Sequence, residues 1–208
     1  MRPRSYWLRH CITGFALLPA QLAAQTHYPI GFIGGVSSAD FRGKDVAGGK
    51  SSTGLVLGGL IHLELAGPLT LEPQLLYVQK GGRLVGGGVT ATFKMGYLQL
   101  PLLLRLELPL RRVSRLALGL IAGPALALTT SCTTRLEAVS YNPVDTGCLG
   151  AGASVRETDF SVIGGAGIGL GALALEGRYD LGLNRIGTGS AAGDVKNRAL
   201  LLTLAYRF

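Results

Sequence analysis

The 208-residue chain has no uninterrupted apolar stretch long enough to cross a bilayer as a helix. Beyond residue 24 its two longest runs of apolar residues, Gly and Pro are Leu116–Leu128 and Val162–Leu175, of 13 and 14 residues. Both fall short of the roughly 18 to 20 that a helical span requires. Charge is also scarce: Asp, Glu, Lys and Arg make up 15% of the chain against 48% hydrophobic residues, and mean hydropathy is +0.37. A chain this apolar is not disordered. Glycine is abundant, at 32 residues, but not at every third position, so a collagen helix is excluded. Cysteine and histidine number three each. Beyond residue 24 they reduce to Cys132, Cys148, His27 and His62, too few and too scattered for a metal centre, and no cofactor is expected. The composition is too apolar for an ordinary soluble domain, yet it lacks a helical span. Strands that cross a membrane reconcile the two.

Residues 1–24 set the compartment. Arg2, Arg4 and Arg9 precede an uncharged apolar stretch from Cys11 to Pro19, and small residues follow at Ala20, Ala23 and Ala24. A basic head, apolar middle and small-residue exit describe a secretory signal, with cleavage expected after Ala24. The alternative is an anchor helix that stays attached. Cleavage removes three of the 20 Lys and Arg and none of the 12 Asp and Glu, which leaves 17 basic residues against 12 acidic. The basic excess is therefore partly a property of the signal, and nucleic acid is not expected as a partner of an exported chain. Cys132 and Cys148, each flanked by turn formers (TTSCTT and DTGCLG), read as one disulfide closing a surface loop.

The rest of the chain, residues 25–208, alternates with period two in segment after segment. Leu173, Leu175, Tyr179, Leu181 and Leu183 fall on one face, and Ala174, Glu176, Arg178 and Asp180 on the other. Arg198, Leu200, Leu202, Leu204, Tyr206 and Phe208 alternate with Ala199, Leu201, Thr203, Ala205 and Arg207. Leu69, Leu71, Pro73, Leu75 and Tyr77 oppose Thr70, Glu72, Gln74 and Lys80, and six leucines from Leu98 to Leu108 oppose Gln99, Arg105 and Glu107. Leu55, Leu57, Ile61 and Leu63 oppose His62 and Glu64, and Leu116–Leu128 carries leucines against Arg115 and small residues. With two weaker Gly-rich segments near 29–37 and 160–171 the pattern predicts eight strands.

The expected connections alternate long and short: 38–52, 81–91, 130–158 and 185–196 are long, and 66–68, 109–112 and 171–172 are short. Four long loops at one end and three tight turns at the other predict an all-β, eight-stranded antiparallel up-and-down transmembrane barrel of the bacterial outer membrane. Only a closed sheet pairs every backbone N–H and C=O in hydrocarbon. The soluble alternative is a lipocalin-like barrel of reversed polarity, greasy inside and charged outside. Charge balance favours the membrane form. The faces opposite the leucines hold five acids (Glu64, Glu72, Glu107, Glu176, Asp180) and five bases (Lys80, Arg105, Arg115, Arg178, Arg207), which suits a paired interior. Pro73, Pro101 and Pro124 fall inside expected strands, where each removes a ladder donor, so bulges are expected there.

The segments YLQLPLLLRLEL (97–108), LGLIAGPALAL (118–128), DFSVIGGAGIGL (159–170) and EGRYDLGLNRI (176–186) resemble, in this order, the PorT-like family of small outer-membrane β-barrel domains, a porin-like and OmpA-like architecture. The resemblance covers the chain after the signal. The ending LAYRF, with Leu204, Tyr206 and terminal Phe208 on one face, resembles the C-terminal insertion signature of outer-membrane proteins. The resemblance implies an eight-stranded barrel inserted by the barrel-assembly machinery, and most members have no assigned activity. Nothing in the residues carries over a secretion-system role.

Candidate chemistry is thin. His62 shares a face with Glu64, a possible base and orienter for a lipid-modifying enzyme, but it points with the interior set and no Ser lies at neighbouring spacing. A buried, hydrogen-bonded His is the simpler expectation. Gly169–Ala174 fits a dinucleotide fingerprint only loosely, and Gly49-Lys50-Ser51 lacks the upstream Gly of a phosphate loop. The bases Arg42, Lys44, Lys50, Arg83, Arg135, Arg156, Arg185 and Lys196 fall in outer loops, where lipopolysaccharide phosphates would attract them or water would simply solvate them. The expectation is a monomer in contact with membrane lipids, with a structural and surface-presenting role and no catalysis. A narrow channel is the alternative, and a lipid-modifying enzyme stands behind it.

Overall fold

The computed structural model describes residues 30–42, 50–86, 89–110, 116–138, 141–147, 156–185 and 195–208, and every regular element among them is a β-strand. In chain order these are β1 (Ile30–Arg42), β2 (Lys50–Ile61), β3 (Leu63–Ala66), β4 (Leu69–Gly86), β5 (Val89–Pro109), β6 (Leu116–Ala138), β7 (Tyr141–Gly147), β8 (Thr158–Leu170), β9 (Leu173–Gly182) and β10 (Lys196–Arg207). The sheet runs β2-β1-β10-β9-β8-β6-β5-β4, and pairing of β2 with β4 closes it into a ring of eight antiparallel strands. β3 continues β2 past His62 along the same edge of β4, with Leu63 opposite Leu71. β7 lies outside the ring and pairs only the far end of β6.

Both ends of the described chain meet at one rim. The Phe208 N–H donates to the Ile30 carbonyl at 3.0 Å. The tight turns at Gly67–Pro68 and Gly171–Ala172 share that rim, and Arg207 N–H reaches the Ala172 carbonyl at 2.9 Å. Gly67 and Gly171 take φ of +56° and +59°, a left-handed conformation that side chains resist. Short turns mark the periplasmic end of such barrels.

The faces sort as the leucine pattern predicts. Leu98, Leu100, Leu102 and Leu104 of β5 are exposed, as are Leu173, Leu175 and Tyr179 of β9 and Leu200, Leu202, Leu204, Tyr206 and Phe208 at the C-terminus. Glu72, Gln99, Arg105, Glu176, Arg178 and Asp180 are buried. This polarity excludes the lipocalin-like alternative, which would hide the leucines and expose the ions. Smaller apolar side chains complete the interior: Ile33, Val56, Leu60, Leu76, Val78 and Leu201 pack as one cluster, and Leu103, Ala125 and Ile163 close on Ile121 as another.

Three expectations need correction. The wall continues as sheet where the loops 81–91 and 130–158 are expected: β4 and β5 stay paired up to Gly86 and Val89, and β6 reaches Ala138 before β7 folds back on it. Alternation is too weak there to show in the sequence, because Gly, Thr and Ser occupy both faces. The prolines do not shift register. β4–β5 and β5–β6 keep one register through Pro73 and Pro101, and β6–β8 through Pro124, with bridges missing beside Pro73, Pro101 and Pro124. The register shifts sit elsewhere, between Gly96 and Tyr97, Ser51 and Val56, Glu64 and Ala66, and Leu136 and Ala138. Finally, Glu64 is exposed at the periplasmic mouth, although it stands directly opposite the buried Thr70.

Candidate functional site: the ionic network inside the barrel

Inward positions of β4, β5 and β9 put Glu72, Gln74, Arg105, Glu176 and Arg178 at one level of the cylinder. Arg105 donates from Nε to Glu72 Oε1 at 2.8 Å and from Nη2 to Glu72 Oε2 at 3.1 Å, and its Nη2 also meets Glu176 Oε1. Arg178 donates from Nε and Nη2 to Glu176 Oε2 at 2.9 and 2.7 Å, and from Nη1 to Gln74 Oε1 at 2.8 Å. Gln74 returns an N–H to Glu72 Oε2 at 3.3 Å. Two guanidiniums thus alternate with two carboxylates. That is the arrangement buried charges require, because an unpaired one would be very costly.

Small residues make the space. A Cβ on Gly119 would lie 2.7 Å from Arg105 Nη1, and one on Gly167 would lie 2.7 Å from Glu176 Cγ. The glycines of β6 and β8, which carry no pattern of their own, are therefore the cavity for the ions of β5 and β9.

Toward the periplasm the cluster opens. His62 Nδ1 lies 3.0 Å from Glu72 Oε1. Arg207 donates from Nη1 to Glu107 Oε1 at 2.9 Å and lies 3.3 Å from Glu72 through Nη2, and the Glu107 side chain is one-third exposed. A second level lies toward the outside. Lys80 Nζ is 2.6 Å from Asp180 Oδ2, which also accepts from Gln99 Nε2 at 2.8 Å, and the ammonium stands 5.4 Å from the centre of the Tyr97 ring. Asn197 donates to the Tyr97 hydroxyl at 3.0 Å.

Of the residues expected in the network, the structure brings together His62, Glu72, Arg105, Glu107, Glu176, Arg178 and Arg207. It gives Asp180 to the second level. Glu64 joins none of the ion pairs among the described residues, and Arg115 lies outside them. Gln74, Gln99, Tyr97 and Asn197 were not expected as partners, although Gln74 and Gln99 occupy the inward parity that the sequence already assigns. Cys132 sits half-buried on β6 against Met95, Tyr97 and Ala127. Its expected partner Cys148, the signal segment and His27 lie outside the described residues. Leu204, Tyr206 and Phe208 line the lipid face, with Phe208 edge-on to Tyr206 at 5.1 Å and to Phe32 at 5.5 Å. No group of His, Cys, Asp and Glu suited to a metal occurs among the described residues.

A closed ring of eight strands, leucines facing outward and ion pairs within, defines a β-barrel protein of the bacterial outer membrane. The chain belongs to the outer membrane protein beta-barrel domain family, whose sequence profile matches residues 20–187. Its structure is similar to Neisserial surface protein A (NspA) from Neisseria, with a TM-score of 0.50 at 11% identity, covering 86% of this chain and 97% of that one. Ail, the attachment invasion locus protein of Yersinia pestis, aligns with a TM-score of 0.45 at 13% identity over 88% of this chain and 100% of its own. The N-terminal β-barrel domain of Pseudomonas aeruginosa OprF aligns at 0.35 and 13% identity over 86% and 97%. Identities this low speak for the fold alone. No curated protein is significantly similar to the chain in sequence.

Proposed function

We propose that this barrel is a structural, surface-presenting protein of the outer membrane, neither a channel nor an enzyme. One observation carries the reading: the ion pairs that span the bore are fully buried. Arg178 and Glu72 are 0% exposed and Glu176 and Asp180 1%. An eight-stranded cylinder is just wide enough for its own side chains, and here buried ion pairs occupy the bore at two levels. His62, the strongest enzymatic candidate, is engaged by Glu72 on the interior side of the wall, away from the acyl chains that a lipid-modifying enzyme must reach.

The finer assignments belong to the same proposal. The chain is a PorT-like member of the family, cleaved after Ala24, and a monomer. Its C-terminal Leu204, Tyr206 and Phe208 address it to the assembly machinery, and its partners in place are membrane lipids and lipopolysaccharide. Cys132 and Cys148 form a disulfide. In support, β6 and β7 pair as far as Thr133 opposite Gly147, so the described hairpin reaches the neighbour of each cysteine in sequence.

The test is reconstitution of the purified protein in planar bilayers, alongside protease treatment of intact cells. No conductance steps and cleavage within the outer loops are expected. Stepwise conductance would overturn the reading in favour of a channel. Loss of lipid A acyl chains that depends on His62 would overturn it in favour of an enzyme.

A further inference from the structure

The two ionic levels of the bore differ in charge balance. At the level that opens toward the periplasm, Glu72, Glu107 and Glu176 meet Arg105, Arg178 and Arg207, three carboxylates against three guanidiniums. At the outer level two buried carboxylates, Asp159 and Asp180, stand beside a single ammonium. That ammonium, Lys80 Nζ, lies 2.6 Å from Asp180. Asp159 joins none of the ion pairs among the described residues, yet it is only 6% exposed. A buried carboxylate without a counter-charge is very costly.

The same level holds an excess of hydrogen-bond acceptors. Five oxygens are buried without a donor among the described residues: both of Asp159, Oδ1 of Asp180, Oε1 of Gln99 and Oδ1 of Asn197. The amide N–H groups beside them are spent elsewhere. Gln99 Nε2 donates to Asp180 Oδ2 at 2.8 Å and lies 3.4 Å from Ser161 Oγ, and Asn197 Nδ2 donates to the Tyr97 hydroxyl at 3.0 Å. Buried polar atoms are nearly always paired. Several such oxygens in one layer, two of them on an unpaired carboxylate, point to a ligand.

The backbone brings these atoms together. Gln99, Ala127 and Asp159 are directly opposed across β5, β6 and β8, and the short Ala127 between them leaves room for the two longer side chains. Gly182 leaves room on the next strand, where a Cβ would lie 3.2 Å from Asp159 Oδ2 and 3.3 Å from Asn197 Cβ. Ser161 stands directly opposite Gly182. Polar side chains of β5, β8, β9 and β10 thus gather where the wall itself carries Ala and Gly. Asp159 is two residues from the exposed Glu157, which sets this level beside the outer mouth.

Water would satisfy the oxygens but not the charge, and a proton on Asp159 would offer one donor to all of them. A cation answers both needs. The ligand atoms are oxygens from two carboxylates and two amides, which suits a hard ion and not a transition metal. The charge balance of the level selects one positive charge, because a divalent ion would leave Lys80 beside an uncompensated excess. We infer that Asp159, Asp180, Gln99 and Asn197 bind a monovalent alkali cation in the outer end of the bore.

The test uses the full mature barrel refolded in lipid vesicles, with its heat-induced gel shift followed in sodium, potassium, calcium or choline chloride at matched ionic strength. Wild type is expected to gain about 3–5 °C for each tenfold rise in sodium or potassium above the dissociation constant, and nothing from choline. Asp159→Asn, which removes the charge and keeps the shape, is expected to lose that gain and to melt no lower than wild type in choline. Glu137→Gln, which removes an exposed outer carboxylate paired with Arg135, is expected to keep it. Broadening of the sodium NMR signal by wild type, compared with empty vesicles, measures binding directly even if the Asp159 variant does not refold. Equal midpoints in sodium and choline, or no broadening beyond that of empty vesicles, would overturn the site in favour of buried water or a proton on Asp159. An undiminished gain in Asp159→Asn would overturn it as well. Stabilisation by calcium alone would overturn the monovalent assignment.

Discussion

Arg178 and Glu176 face each other from the same side of one strand, two residues apart, with Nη2 2.7 Å from Oε2 and neither side chain open to solvent. Glu176 also receives Arg105 from across the bore. One carboxylate therefore bridges two guanidiniums, one of which also holds Glu72.

Removing that carboxylate should be worse than removing either cation. Glu176→Gln takes from Arg178 its carboxylate partner, while Arg105 keeps Glu72, and is expected to cost about 3–5 kcal/mol. Arg178→Met should cost less, since Glu176 keeps Arg105. Urea unfolding of the refolded barrel in lipid vesicles, followed by tryptophan-free tyrosine fluorescence or gel migration, measures both. A smaller loss in Glu176→Gln than in Arg178→Met would contradict the shared-carboxylate arrangement.

Neighbouring leucines should answer in opposite ways. Leu102 is 46% exposed on the lipid face and Leu103 is 0% exposed in the bore. Leu103→Ala opens a cavity and is expected to cost about 2–5 kcal/mol. Leu102→Ala, which exchanges one lipid contact for another, should cost much less, whereas Leu102→Arg should cost about 2–4 kcal/mol. The same unfolding assay separates the three.

Gly123 admits no side chain. A Cβ there would lie 2.0 Å from the Leu102 carbonyl oxygen, while one on Gly164 would meet nothing within 4 Å. The close approach sits beside Pro124, whose missing N–H leaves that stretch of the ladder without bridges. Gly123→Ala is expected to lose about 1–3 kcal/mol and Gly164→Ala to be close to neutral, read as the temperature at which the folded gel band converts.

The proposed disulfide between Cys132 and Cys148 predicts a redox effect confined to the outer hairpin. Dithiothreitol, or Cys132→Ser, should speed proteolysis within 139–157 and leave the membrane-embedded barrel folded. The chain-entropy model gives the closed loop about 3 kcal/mol. Identical cleavage rates with and without reductant would argue against the bond.

Much of the fold is legible in the sequence because a barrel in lipid has one strict rule, apolar outward at every second residue. Leu98–Leu108 and Leu173–Leu183 state it without ambiguity, and their inward neighbours Arg105, Glu107, Glu176, Arg178 and Asp180 follow by parity. Legibility fails where the rule stops applying. Beyond Leu98 on β5 and Leu128 on β6 the outer face no longer meets lipid and carries Thr, Ser, Lys and Arg, so the leucine alternation disappears although pairing goes on to Val89 and Ala138. Parity also fixes a face without fixing a height, and for that reason Glu64, on the inward row, lies at the mouth. The partnership of Arg105 with Glu72 and Glu176 joins strands distant in sequence and needed the ring to be closed.

Unequal strand lengths have a consequence for life in a crowded membrane. β9 spans 10 residues, while β5 spans 21 and β6 spans 23. One flank therefore stands up like the back of a chair while the opposite flank ends near the headgroups. A neighbour arriving at the tall flank meets the protruding sheet of β5 and β6 first. The described sheet thereby gives the molecule a front and a rear in two dimensions.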